Sequence, residues 1–365
     1  MLDSIPNPKI PEHRLPNLSG KSILITGGAG FIGSALAAYF QAHHKDTHVI
    51  VLDKFRDGEC FPSGNPTSLG HFKNLLGFQG DVLALDITKS LEILRELHFD
   101  YVFHQAAISD TTASNQKLMI ETNHHAFLEL LHIALQKGAK MIYASSAGTY
   151  GNTPAPNTIG SGEIPENIYG YSKLLMDHSV RKILADSPNA PIIGLRYFNV
   201  YGRREFYKGK TASMILQLGL QALESKCVKL FEFGEQMRDF VYIDDVVAAN
   251  VLAMSAQKGG VYNVGFGVSR SFNDIIAILR KELNALSARE NLAPLGDFTL
   301  EYIKNPYTFF QTHTQADITL STQDLGYIPA YSLEDGIADY IEGIYKLHKD
   351  KQWYDCTTKH LESLS

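Results

Sequence analysis

Lys21-Ser22-Ile23-Leu24-Ile25-Thr26-Gly27-Gly28-Ala29-Gly30-Phe31-Ile32-Gly33 is the stretch on which the fold turns. A short apolar run leads into a glycine turn, and a helical pattern follows to about His43. Glycines 28, 30 and 33 fit the dinucleotide fingerprint, and glycines 27, 30 and 33 fit its close variant. The chemistry needs glycine here. No side chain then blocks a pyrophosphate, which sits on backbone amides at the helix N-terminus. Residues 48–52 read as a second strand ending at Asp53, twenty residues past Gly33, where a carboxylate reaches the adenosine ribose. Asp53 favours a free 2′-hydroxyl, hence NAD, whereas Lys54 and Arg56 beside it can neutralise the 2′-phosphate of NADP.

The alternation of strand and helix continues from there. Residues 56–80 form a long loop rich in Gly, Pro, Ser and Asn, suited to covering a cofactor or meeting another subunit. A third strand over 82–85 ends at Asp86, an adenine contact or a loop cap, and a fourth runs from Tyr101 into Gln105, Ala106 and Ala107. Residues 114–137 are a long helix and 140–144 a fifth strand, with Ser145 and Ser146 at its end. Ligands of an open parallel sheet bind at the strands' carboxyl ends, which puts Ser146 at a substrate. The proline-bearing loop from Gly151 to Asn167 leads to a helix that carries Tyr169 and Lys173.

That pair shares one helix face, one turn apart. An ammonium near a phenol favours the phenolate, and a phenolate near neutrality takes a proton from a sugar hydroxyl while hydride leaves the same carbon. After a sixth strand over 192–197, residues 203–210 read as a charged lid. Helices over 212–224, 244–256 and 271–284, with strands over 228–233 and 261–264, predict a smaller lobe. Residues 285–297 read as a loop, a last helix starts near Ser332, and residues 1–19 read as a loose polar arm. The fold class is therefore α/β: a Rossmann-type doubly wound parallel sheet with a smaller C-terminal substrate lobe. The expected divisions are an arm over 1–19, a dinucleotide-binding unit over 20–202 to which later segments return, a lobe over 203–349 and a tail over 350–365.

Composition narrows the classes. The 365 residues, 44% hydrophobic and 20% charged, are those of an ordinary soluble globule. A net charge of -6 and the absence of basic runs argue against nucleic acid as a partner. No run is long enough to span a membrane, and the arm has no apolar core like that of a signal peptide, so a cytoplasmic protein is expected. Three scattered cysteines and histidines without ligand spacing predict no disulfide framework and no metal.

Further motifs occur in order: Tyr143-Ala-Ser-Ser-Ala-Gly-Thr-Tyr-Gly151, Tyr169-x-x-x-Lys173, Arg196-Tyr-Phe-Asn-Val-Tyr-Gly202 and Arg238-Asp-Phe-Val-Tyr-Ile-Asp-Asp-Val246. With the glycine turn they resemble the extended short-chain dehydrogenase/reductases, the nucleotide-sugar epimerases and dehydratases. The resemblance spans about residues 20–345. Arg204-Glu-Phe-Tyr-Lys-Gly209, Lys229-Leu-Phe-Glu232 and His313-Thr-Gln-Ala-Asp317 look in addition like the ADP-L-glycero-D-manno-heptose 6-epimerase family, which serves lipopolysaccharide core synthesis.

The resemblance implies roles. Ser146 bonds the reacting hydroxyl, Tyr169 is a proton acceptor, Lys173 bonds the nicotinamide ribose, and Lys208 is a second proton acceptor across the sugar. Gly27, Gly28, Gly30, Phe31, Ile32, Gly33, Asp53, Lys54, Arg56, Asp86, Gln105, Ala106, Ala107, Ser109, Asn123, Lys173, Val200 and Lys208 are the implied cofactor contacts. Asn199, Lys210, Gln217, Phe231, Glu232, Arg238 and Phe310, with Ser146, hold an ADP-sugar. NADP is the implied cofactor, with NAD as the other possibility, and the assembly a homo-oligomer, a pentamer by resemblance. A 4-epimerase or reductase of the same superfamily is the alternative, since it shares Ser146, Tyr169 and Lys173. A dehydratase is disfavoured, because Ala147 and Gly148 stand where its acid–base pair belongs. The added arm, the longer loop after Asp53, Gln217 in place of a histidine and Phe310 in place of a tyrosine depart from the family pattern.

Overall fold

The computed structural model describes residues 5–89, 91–304 and 311–350. The apolar run of the opening motif forms β1 (Ser22–Thr26), buried along its whole length, and the glycine turn delivers α1 (Phe31–His43). There follow β2 (His48–Asp53), β3 (Asp81–Ala84), a short α2 (Glu92–Glu96) and β4 (Tyr101–His104). The predicted long helix is α3 (Gln116–Ile120) and α4 (Ala126–Gln136), joined by a π-turn over Glu121–His125. Next come β5 (Lys140–Ser146), α5 (Ile168–Asp186), β6 (Ile192–Tyr197) and β7 (Asn199–Tyr201). The second half is α6 (Met214–Glu224), β8 (Cys227–Phe231), β9 (Met237–Tyr242), α7 (Ile243–Met254), β10 (Gly260–Val264), β11 (Ser269–Ser271), α8 (Phe272–Arg289), β12 (Thr299–Ile303) and α9 (Leu333–Asp350).

Seven strands form one sheet in the order β10-β6-β5-β4-β1-β2-β3, and every pairing in it is parallel. Apolar side chains fill both faces, as a parallel sheet covered by helices requires. The order reverses between β1 and β4, so a crevice opens at the carboxyl ends of those two strands. β10, from late in the chain, returns to this sheet beside β6, and the wholly buried α7 packs against β5, β6 and α1. Two small sheets lie apart: β11-β9-β7 and β12-β8.

Three expectations change. The arm is not loose. Asn7 donates its N–H to Asp244 Oδ2 at 3.0 Å and accepts from the Tyr331 hydroxyl at 2.9 Å, while Leu18 is 2% exposed. Its prolines limit it to one 3-10 turn over Glu12–Arg14, but they do not stop its backbone from pairing with side chains of the fold. Helix α8 continues through 285–289, because Leu286 and Ser287 are buried and the Ser287 hydroxyl caps back onto the Leu283 carbonyl at 2.6 Å. β7, β9, β11 and β12 emerge where no strand was predicted. Phe310 and the tail beyond residue 350 lie outside the described residues.

Candidate active site

The glycine turn is shaped by close packing. A Cβ on Gly33 would sit 2.3 Å from the Gly27 carbonyl oxygen, so only glycine lets α1 start against the turn. Asp53 anchors the same turn from the end of β2. Its Oδ2 accepts the Ala29 N–H at 2.9 Å and its Oδ1 the Phe55 N–H at 2.8 Å. Burial nonetheless pushes the Asp53 carboxyl up, against the pull of those two N–H groups.

Ser146 ends β5 and caps the short turn Ala147–Tyr150, its Oγ accepting the Gly148 N–H at 3.0 Å. Helix α5 begins opposite, with Asn167 as cap, and a Cβ on Gly170 would lie 2.3 Å from the Gly148 oxygen. That bare contact brings Tyr169 up to Ser146. Burial pushes the Tyr169 phenol up, and only a hydrogen bond with Ser146 pulls back. One turn further on, Lys173 is 2% exposed and donates to the Ala144 carbonyl at 2.7 Å. Burial brings its pKa down to about 8, against the nearby charge of Asp177. Its ammonium is 6.0 Å from the Tyr169 ring centroid. The expected depression of the tyrosine by this lysine is therefore absent: the ammonium faces a carbonyl, and burial dominates the phenol.

One cleft takes in these groups. Its lining includes Gly27, Gly30, Phe31, Ile32, Gly33, Asp53, Lys54, Asp86, Gln105, Ala106, Ala107, Ser109 and Val200, together with Ser146, Tyr169, Lys173 and Lys208. The Lys208 ammonium is 5.4 Å from the Phe31 ring centroid, and burial lowers its pKa against the charge of Glu205. Lys54 at the far end already pairs with Asp57 at 3.2 Å and Glu59 at 3.4 Å, with Asp86 at 3.9 Å.

Other predicted residues stand back from the cleft. Gly28 packs on Val51, and Arg56 donates to the Tyr207 carbonyl. Asn123, fully buried, ties α3–α4 to its neighbours: it accepts the Ile108 N–H at 2.8 Å and donates to Ile108 O at 2.9 Å and Ser172 Oγ at 3.0 Å. That engagement makes it a clamp behind the wall rather than a lining group. The other residues predicted to hold a substrate stand on later elements. Asn199 opens β7, Phe231 ends β8 with Glu232 just past it, and Arg238 sits on β9 opposite Arg270. Arg238 is 9% exposed, and burial brings its pKa down to about 10. Gln217 donates to the Lys210 and Ala212 carbonyls at 3.1 and 2.7 Å, so it shapes the lid's end, while Lys210 itself is exposed. Sequence reading missed Thr67, Ser68, Leu69 and Gly70, which wall the cleft beside Asp53 and Lys54, and Thr211 on the lid. The adjacent hydroxyls of Thr67 and Ser68 were the available signal.

The model of the NAD dependent epimerase/dehydratase family matches residues 23–265. The chain belongs to that family. Among solved members of similar structure, the Helicobacter pylori ADP-L-glycero-D-manno-heptose-6-epimerase is 55% identical over 90% of this chain and 98% of that one, with a TM-score of 0.80. The Bacillus cereus UDP-glucuronic acid 4-epimerase, solved with UDP-glucuronic acid and NAD, is 28% identical over 89% and 99%, with a TM-score of 0.73. The Thermotoga maritima UDP-glucose 4-epimerase is 28% identical over 89% and 99%, with a TM-score of 0.74. The chain is an epimerase of this family, and its cleft fits the family's nicotinamide dinucleotide. A Cβ on Gly30 would meet only the Gly27 oxygen, at 3.2 Å, which leaves the turn's outer side bare for a pyrophosphate. In the opposite wall, Gln105 Oε1 is buried with no hydrogen-bond donor. No helix among the described residues is long and apolar enough to cross a membrane.

Proposed function

We propose that this epimerase converts ADP-D-glycero-β-D-manno-heptose to ADP-L-glycero-β-D-manno-heptose by transient oxidation and re-reduction at C6. Its product would serve lipopolysaccharide core heptose synthesis. One observation carries the reading: Ser146, Tyr169, Lys173 and Lys208 open onto a single cleft in a chain 55% identical to the H. pylori heptose epimerase. A nicotinamide bound there supplies a reversible hydride acceptor.

In this reading Ser146 Oγ holds the C6 hydroxyl and Tyr169 Oη takes its proton as the ketone forms. Lys173 bonds the nicotinamide ribose and contributes positive charge beside the phenol. Lys208 handles the proton for the other isomer, from the lid side of the turned ketone. Arg238, Asn199, Phe231 and Glu232, with Lys210, Gln217 and Phe310, hold the ADP-sugar, and the guanidinium fork suits a diphosphate. The unit over 20–202, completed by β10 and α7, binds the dinucleotide, and the unit over 203–349 binds the sugar nucleotide.

NADP is the proposed cofactor, with Lys54 and the Thr67 and Ser68 hydroxyls beside the ribose end of the cleft. NAD is the second reading, favoured by the Asp53 carboxylate and by the carboxylates already paired with Lys54. A cytoplasmic homo-oligomer, pentameric as in the heptose epimerases it resembles, completes the proposal. Turnover of ADP-D-glycero-β-D-manno-heptose in deuterium oxide tests the chemistry. Direct hydride return leaves no deuterium on C6 or C7 of the product. Label at either carbon means enolisation and overturns the mechanism.

A further inference from the structure

The loop over 56–80 makes two sets of attachments that the epimerisation chemistry does not require. The first is to the glycine turn. The His71 N–H and Asn74 Nδ2 both donate to the Ala29 carbonyl, at 3.0 Å each. The second is to the segment over 203–211 that carries Lys208. Arg204 Nη1 donates to the Asn74 carbonyl at 2.7 Å, and Arg56 donates to the Tyr207 carbonyl. The His71 imidazole stacks on the Tyr207 ring, with centroids 4.2 Å apart and planes 6° from parallel.

These contacts grip the lid on the N-terminal flank of Lys208. Tyr207 is its immediate neighbour, and Arg204, 5% exposed, is held at a φ of 76°, where a side chain stays only if its surroundings fix it. Asn74 is 3% exposed and works in both directions, through its side chain toward Ala29 and its carbonyl toward Arg204. Burial and the charges of Arg56 and Lys73 bring the His71 pKa down to about 4, so two neutral rings stack at neutral pH. The same loop walls the cleft with Thr67 to Gly70.

We propose that His71 and Asn74 are positioning residues: they strap the Lys208 segment to the glycine turn, so that one loop both walls the dinucleotide cleft and sets the lid lysine. The catalytic half of this inference rests on the proposed role of Lys208; the mechanical half does not. Hydrogen exchange of the peptide over 203–212, measured on the purified protein with its bound cofactor, reads the mechanical half directly. His71→Ala and Asn74→Ala should each speed that exchange at least tenfold, while His71→Phe, which keeps a stacking ring, should stay within twofold of wild type. Epimerisation should fall at least tenfold in the two alanine variants at unchanged cofactor content and recover in His71→Phe. If His71→Ala does not fold, Tyr207→Ala removes the same stack from the lid side and carries the same expectation. Unchanged exchange in both alanine variants overturns the strap, as does equal loss with Phe and Ala at position 71. Faster exchange with an unchanged epimerisation rate upholds the strap and overturns the catalytic half of the inference.

Discussion

Replacing Asp177 by alanine tests what holds α5, with its Tyr169 and Lys173, against the end of β5. The carboxylate is fully buried. Its Oδ1 accepts the Tyr143 hydroxyl at 2.8 Å, and its Oδ2 accepts Ser145 Oγ at 2.9 Å and Arg196 Nε at 2.7 Å. Arg196 is itself fully buried and keeps one other carboxylate, Glu163, 2.8 Å from Nη1. Removing one partner of a buried pair costs about 3–5 kcal/mol, and the lower end applies because Glu163 remains. The two orphaned hydroxyls add about 1 kcal/mol each, so Asp177→Ala should cost about 4–6 kcal/mol. That is a large part of the roughly 5–15 kcal/mol by which a native protein is stable. Urea denaturation followed by circular dichroism reads the loss as a midpoint lowered by at least about 1 M. The double variant Asp177→Ala/Arg196→Met should be more stable than Asp177→Ala alone, since the uncompensated guanidinium is gone and Glu163 keeps Arg181 at 2.6 Å. A single-variant midpoint within about 0.3 M of wild type, or a double variant less stable than the single, would refute the reasoning.

Tyr169→Phe should keep fold and cofactor yet lose about a hundredfold or more in epimerisation, the usual worth of a proton-transfer group; a rate within about threefold of wild type sinks that role. Arg238→Ala should weaken the ADP-sugar by about 1.5–3 kcal/mol in a calorimetric titration while cofactor content stays constant, and unchanged affinity would leave Arg238 a structural residue. Acid stability should track Glu163. Burial pushes this carboxyl up, but the hydrogen bond from Arg181 and the charge of Arg196 outweigh burial and bring its pKa to about 2. A depressed carboxylate stabilises fully above its ordinary pKa and loses that contribution as pH falls toward 2. About 2 kcal/mol, after allowance for solvent screening, should therefore vanish between pH 5 and 2 in the wild type and be missing at pH 7 in Glu163→Gln. Parallel melting curves for the two proteins across that range would remove Glu163 from the acid response.

The parts of this molecule legible in the sequence are those whose cause is local. Strands β1, β2 and β6 are rich in apolar residues because a parallel sheet is buried on both faces, and the glycine turn is readable because its crowding admits no Cβ. Tyr169 and Lys173 follow from helical spacing alone. What escaped has a distant cause. The three-residue β11 owes its strand form to pairing with β9, and no short-range pattern announces that. The strap's residues have no period; their order comes from Ala29, Tyr207 and Arg204, far away in the chain. Even the proton chemistry divides this way. Spacing predicts that Lys173 sits near Tyr169, but the Ala144 carbonyl that captures its ammonium belongs to another element.

That capture bears on how the site handles a proton. Burial holds the Tyr169 phenol in its protonated form, and the same burial leaves Lys173 charged only up to about pH 8. A dehydrogenase that releases an oxidised product needs its base free at the start of each turnover. An epimerisation ends at the oxidation level where it began, so each proton taken from one isomer must be given back to the other. In the proposed direction Tyr169 takes the proton and Lys208 gives one, and in the reverse direction Lys208 takes and Tyr169 gives, the sense that burial favours by raising the phenol and lowering the lysine. In the proposed mechanism, the division between a tyrosine with its pKa raised and a lysine with its pKa lowered, both opening onto one cleft, gives the two isomers groups of opposite readiness. It is the form expected of a reaction that runs both ways through one ketone.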